Sequence, residues 1–85
     1  MATTTTIDNL TVKKYEGERH DRHAWFVAIK INGERGGSFE ELETEDQADE
    51  YIELLTRMAE DFRPANHWEV QDLRDAVTDR FRLSY

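Results

Sequence analysis

Cysteine is absent from this 85-residue chain, which excludes both a disulfide framework and a thiolate metal site. A domain of this size must then be held by packing and helix caps. Proline occurs once, at position 64. No stretch approaches the roughly 18 apolar residues of a membrane span. The start, Met1 to Thr6, has neither the basic nor the apolar region of an export signal, so a cytoplasmic location is expected.

Chemistry-bearing patterns are as scarce. The serines are Ser38 and Ser84, and neither has a base and an orienting partner in its setting. Gly33, Gly36 and Gly37 open no helix and so form no phosphate loop. His20, Asp21 and His23 offer two imidazoles and a carboxylate, but no second ligand cluster lies nearby. The many carboxylates fall on the wet face of an amphipathic helix, where nothing raises a pKa for acid–base work. The expectation is a protein that binds, with no enzymatic activity, cofactor or metal.

What is present suffices for one small core. Hydrophobic residues make up 38% of the chain and charged residues 35%, with mean hydropathy -0.85. Eighty-five residues leave no room for two cores, so residues 1–85 read as a single domain.

Alternation predicts a strand from about Ile7 to Tyr15, with Thr3 to Thr6 as a lead-in or the start of an edge strand. A second strand is expected over His23 to Ile31, with Trp25, Val27, Ile29 and Ile31 on the covered face and Phe26, Ala28 and Lys30 on the other. Asn32-Gly33 is the residue pair of a two-residue hairpin turn, so a third strand should return over Glu34 to Phe39. That register sets Ile31 opposite Glu34, Ile29 opposite Gly36, Val27 opposite Ser38 and Phe26 opposite Phe39, unless Gly36-Gly37 form a bulge.

Thr44-Glu45-Asp46-Gln47 forms a capping box. The spacing of Ala48, Tyr51, Ile52, Leu55, Met58, Ala59 and Phe62 predicts a helix about 27 Å long. Pro64 ends it. Asn66 to Glu69 caps a second helix whose apolar face is Val70, Leu73, Val77 and Phe81. The fold class expected is α+β: an antiparallel three-stranded β-meander followed by two helices packed on one face, βββαα.

Charge is the most informative property. The net charge is -8, from 19 acids and 11 bases. Between Phe39 and Phe62 stand ten acids and one base; the remainder holds nine acids and ten bases. From Glu40 to Glu53 there are eight acids and no base. Ordinary solvated helices mix signs, because like charges at i,i+4 repel, although acids near a helix N-terminus are favoured by its dipole. Glu43, Asp46, Glu50 and Glu53 would form a line of negative charge stepping roughly 4.5 to 6 Å along the axis. A basic groove built for nucleic acid would attract such a line.

The candidate partner-binding residues are therefore Glu40, Glu43, Asp46, Asp49, Glu50 and Glu53. Trp68 joins them because its helix position points away from the apolar face and exposed tryptophans are frequent interface hot spots. A competing reading packs Trp68 over the Pro64 linker or under the hairpin.

A strand ending on Phe39, the acidic turn Glu40-Glu41 and the helix start Thr44-Glu45-Asp46-Gln47 give the chain a layout that resembles the small acidic anti-CRISPR proteins encoded by phages. The resemblance implies an inhibitor that docks on a basic, nucleic-acid-binding surface of a CRISPR effector complex, acting in the host cell. It transfers no contact residue. Two alternatives stand beside it: a sheet-type DNA-binding module and a structural or oligomeric interaction domain. From Asp8 to Arg35 the sheet region holds six bases and five acids, a near-neutral count that disfavours direct nucleic-acid binding.

Overall fold

A computed structural model describes residues 3–33 and 36–84. The order of elements is β1 (Thr3–Ile7), β2 (Leu10–Arg19), β3 (Arg22–Ile31), β4 (Ser38–Leu42), α1 (Glu45–Asp61) and α2 (His67–Ser84). The strands form one antiparallel sheet in the order β1-β2-β3-β4. The fold is α+β, but the expected three-stranded meander is corrected to four strands.

The extra strand comes from the threonine run. β-Branched Thr3 to Thr6 fit an extended backbone, and Ile7 pairs directly with Leu10 across Asp8-Asn9. Asp8 takes a positive φ of 52°, a conformation that aspartate tolerates better than most residues. The reversal thus needs no glycine. The polar alternation around Ile7, Leu10 and Val12 had made one strand of two.

The second hairpin works the same way. Arg19 pairs with Arg22, and His20 and Asp21 between them have φ of 55° and 60°, as a type I′ turn requires. Two residues of the candidate metal cluster are therefore turn residues.

Asn32-Gly33 does not make the expected two-residue turn. The β3–β4 ladder ends at Ile29 opposite Ser38, so Asn32-Gly33 and Gly36-Gly37 lie beyond it; Glu34 and Arg35 lie outside the described residues. The paired register is Ile29–Ser38, Val27–Glu40 and Ala28–Phe39, two residues from the expected one. Asn32 explains the difference. Its N–H donates to the Asn9 carbonyl at 2.9 Å and its side-chain oxygen accepts from the Thr11 hydroxyl, which ties it to the β1–β2 hairpin and keeps β3 paired with β2 as far as Ile31. A Cβ on Gly37 would stand 2.3 Å from the Ile29 carbonyl oxygen, so only glycine permits the return path. A shift of two preserves the face of every side chain.

Both helices cover the face carrying Leu10, Val12, Val27, Ile29 and Ile31, and these pack with Leu42, Ala48, Tyr51, Leu55, Ala59, Val70, Leu73 and Val77 in one core. Trp25, Ile52, Met58 and Phe81, expected inside, are only partly buried at its margin. Phe62, expected on the apolar face of α1, is instead its C-cap and is 42% exposed.

The caps form with one variation. The Thr44 hydroxyl accepts from the Gln47 N–H at 3.2 Å, but Gln47 reaches back past Thr44 to accept from the Glu43 N–H at 3.0 Å. At α2, Asn66 accepts from the Glu69 N–H at 3.0 Å, and Glu69 accepts from the Ala65 N–H at 3.4 Å.

Candidate functional site

The fold disperses the acidic segment over two environments. Glu40 lies on β4 with its side chain only 16% exposed, 3.4 Å from the Arg74 guanidinium, and accepts from the Thr78 hydroxyl at 3.1 Å. Thr78 and the Tyr51 hydroxyl are 2.8 Å apart, and Tyr51 also donates to the Arg74 carbonyl at 3.2 Å. This network joins β4 to both helices, so Glu40 serves the architecture. Burial pushes the Tyr51 hydroxyl up to about 12, which keeps it a neutral donor.

Asp49 is partly neutralised too. Lys14 reaches from β2 to Asp49 at 2.6 Å and Glu45 at 3.1 Å, with its own side chain only 11% exposed. The hydrogen bond to Asp49 leads the effects that raise the Lys14 pKa, against a smaller lowering by burial. Glu53 pairs with Arg57 at 2.7 Å.

Glu43, Asp46 and Glu50 are exposed, and among the described residues they make no ion pair. Asp46 and Glu50, four residues apart on α1, keep their charge turned to water. The uncompensated part of the acidic segment is thus narrower than the segment itself.

Trp68 does not pack over the Pro64 linker. It stands 67% exposed, with the His67 ring 4.5 Å from its own. It lies in the first turn of α2, on a different element from the α1 acids.

The open face of the sheet holds what sequence reading missed. Tyr15 stacks on Phe26 with ring centroids 5.2 Å apart, and Phe26 lies 6.2 Å from Phe39. Phe26 is buried by these neighbours, with no helix above it, and a Cβ on Gly17 would meet its ring at 3.2 Å. Lys13 sits over the Tyr15 ring at 5.8 Å and Arg19 over the Phe39 ring at 5.9 Å. Phe39 is 49% exposed. The signal was available in the period-two spacing of Lys13, Tyr15 and Gly17 against Phe26, Ala28 and Lys30. A charge count along the chain erased it.

No cluster of three or more His, Asp or Glu side chains suited to a metal occurs among the described residues, and no described helix is long and apolar enough to cross a membrane. Comparison with family models, curated proteins and solved structures finds no match to this chain.

Proposed function

We propose that this chain is a non-enzymatic binding protein whose α1 surface docks on a basic, nucleic-acid-binding surface of a partner protein. One observation carries the reading: Asp46 and Glu50, with Glu43 beside them, stay exposed and uncompensated while neighbouring acids are drawn into ion pairs with Lys14 and Arg57. Adjacent like charges cost stability, and a partner's cations would relieve that repulsion and gain attraction. The sequence resemblance to small acidic anti-CRISPR proteins rests now on the helix start Thr44 to Gln47, since Phe39, Glu40 and Glu41 lie within β4 and form no acidic turn. It makes a CRISPR effector complex the first partner to test.

The test begins with affinity capture of the tagged protein from host lysates at low and high salt. Recovery of nucleic-acid-processing proteins at low salt alone is the expected result. The triple reversal Asp46→Lys, Glu50→Lys and Glu53→Lys should then abolish binding of the captured partner without unfolding the chain. Undiminished binding by the folded triple variant would sink the proposal.

A further inference from the structure

The near-neutral charge count of the sheet conceals two faces. Register places Lys14, Glu16, Glu18, His23 and Trp25 on the helix-bearing side. The opposite side carries Thr4, Thr6, Thr11, Lys13, Tyr15, Gly17 and Arg19 from β1 and β2, and Arg22, Ala24, Phe26, Ala28 and Lys30 from β3. Phe39 and Glu41 of β4 complete it. Asp8 and Asp21 sit in turns. Among the described strand residues the open face therefore sets Lys13, Arg19, Arg22 and Lys30 against one carboxylate, Glu41, which pairs with Arg19 at 3.4 Å; Glu43, just past β4, lines the cleft beside Arg22.

We infer that this open face binds single-stranded nucleic acid. Three features converge. The aromatic row Tyr15–Phe26–Phe39 crosses three adjacent strands, and at the ~4.8 Å strand spacing it runs on the order of 10 Å. Cations flank it on both sides, Lys13 and Lys30 towards one end of the strands and Arg19 and Arg22 towards the other. Both helices pack on the opposite face, so only side chains of the open face itself, Lys13 over Tyr15 and Arg19 over Phe39, lie on the row, and Phe39 stays half exposed. An aromatic ridge between two cationic margins matches a chain of planar bases strung on phosphates: unpaired bases meet the half-exposed Phe39 ring and the partly exposed Tyr15, which the buried Phe26 supports, and the phosphates meet Lys13, Lys30 and Arg22. Duplex DNA stacks its base faces inside and would offer the rings only phosphates and groove edges.

An acidic peptide is the rival occupant, and the edges of the sheet disfavour it. Strand addition would use β1, which carries no cation, or β4, which carries Glu40 and Glu41.

The experiment is fluorescence anisotropy at low and moderate salt with a labelled mixed-sequence 10-nucleotide DNA, its RNA counterpart, the matching duplex and a labelled poly-glutamate peptide. Saturable binding of the single strands is expected, with duplex and peptide weaker by tenfold or more. The logarithm of affinity should fall with that of salt at a slope near -2, from about three phosphate contacts at roughly -0.7 each. Phe39→Ala should weaken binding at least about fivefold through lost stacking. Lys13→Gln with Lys30→Gln should weaken it and flatten the salt slope while the circular dichroism spectrum stays unchanged. A matched control, Asp46→Lys with Glu50→Lys on α1, should leave the Phe39 dependence intact.

Absence of single-strand binding at low salt overturns the inference, as does binding that survives both open-face variants. Equal or tighter binding of poly-glutamate also overturns it and assigns the face to an acidic protein segment. Because these variants leave α1 untouched, failure here is distinguishable from failure of the proposed acidic docking surface.

Discussion

The sheet is apolar and closed on one side, aromatic, cationic and open on the other, although the same strands build both. Val12, Val27 and Ile29 on the closed side are fully covered by α1 and α2. Across the pleat, Tyr15 and Phe26 are covered chiefly by each other and by Phe39. Strands thus interleave two surfaces in every stretch of sequence, whereas a helix such as α1 concentrates its charge in one visible block. Sequence composition is therefore a fair guide to the surface of α1 and a poor guide to either face of the sheet.

Truncating each side in turn should separate the two faces most strongly. Leu55→Ala removes a fully buried side chain on the closed side and should cost about 2 to 5 kcal/mol in chemical denaturation. Phe39→Ala, at a half-exposed ring, should cost roughly 1 kcal/mol. Equal losses would show that the open row is part of the stabilising core.

The closed side also predicts an alkaline transition. The Tyr51 hydroxyl ionises more readily in the unfolded chain, near its ordinary value of 10, than in the fold, where it is held up to about 12. Stability from Tyr51 is fully present below pH 10 and is lost as pH rises from 10 towards 12, by on the order of 2 kcal/mol. Denaturation midpoints across that window should show the loss. Tyr51→Phe should lower stability by about 1 kcal/mol at neutral pH through its missing hydrogen bonds and remove the tyrosine share of the alkaline slope. The Lys14 ion pairs add a further decline above pH 10.5, because their folded-state pKa is raised, so the comparison is best made within a Lys14→Gln background.

Much of this architecture was legible from residues 44 to 83. The period of Ala48, Tyr51, Leu55 and Ala59, and the Thr44 and Asn66 caps, specify both helices through local rules of spacing and hydrogen bonding. The strands were less legible because their turns depend on conformations that the sequence permits without announcing. Asp8, His20 and Asp21 adopt positive φ where no glycine signals it, while Asn32-Gly33, the most conspicuous turn pair, is drawn towards Asn9 and Thr11. Of the proposed docking residues, Glu43, Asp46 and Glu50 stand exposed as expected. The assignments of Glu40 and Asp49 were obscured by partners distant in sequence, Arg74 and Thr78 for one and Lys14 for the other.

Smaller effects sharpen the contrast between helix surface and sheet. Reversing Asp46, Glu50 and Glu53 together should change stability by less than about 1.5 kcal/mol, because each is a surface substitution; a larger loss in a urea melt would mean that these acids support the fold. Lys14→Gln at pH 7 should cost about 1 kcal/mol or less, since Glu45 and Asp49 are half in solvent and water screens such pairs.

The threonine strand β1 forms one border of the sheet. Among the described residues its outward backbone donors and acceptors have no neighbouring strand, and Thr3 to Thr6 bring none of the lysines, prolines or bulges that usually fend off a stray strand. Only hydroxyl-bearing side chains, wet on every side, stand between this border and another extended chain. At high protein concentration, or when partial unfolding frees a strand elsewhere, β1 is the place where aggregation by strand addition would begin. A single lysine at Thr4 would be the least intrusive safeguard.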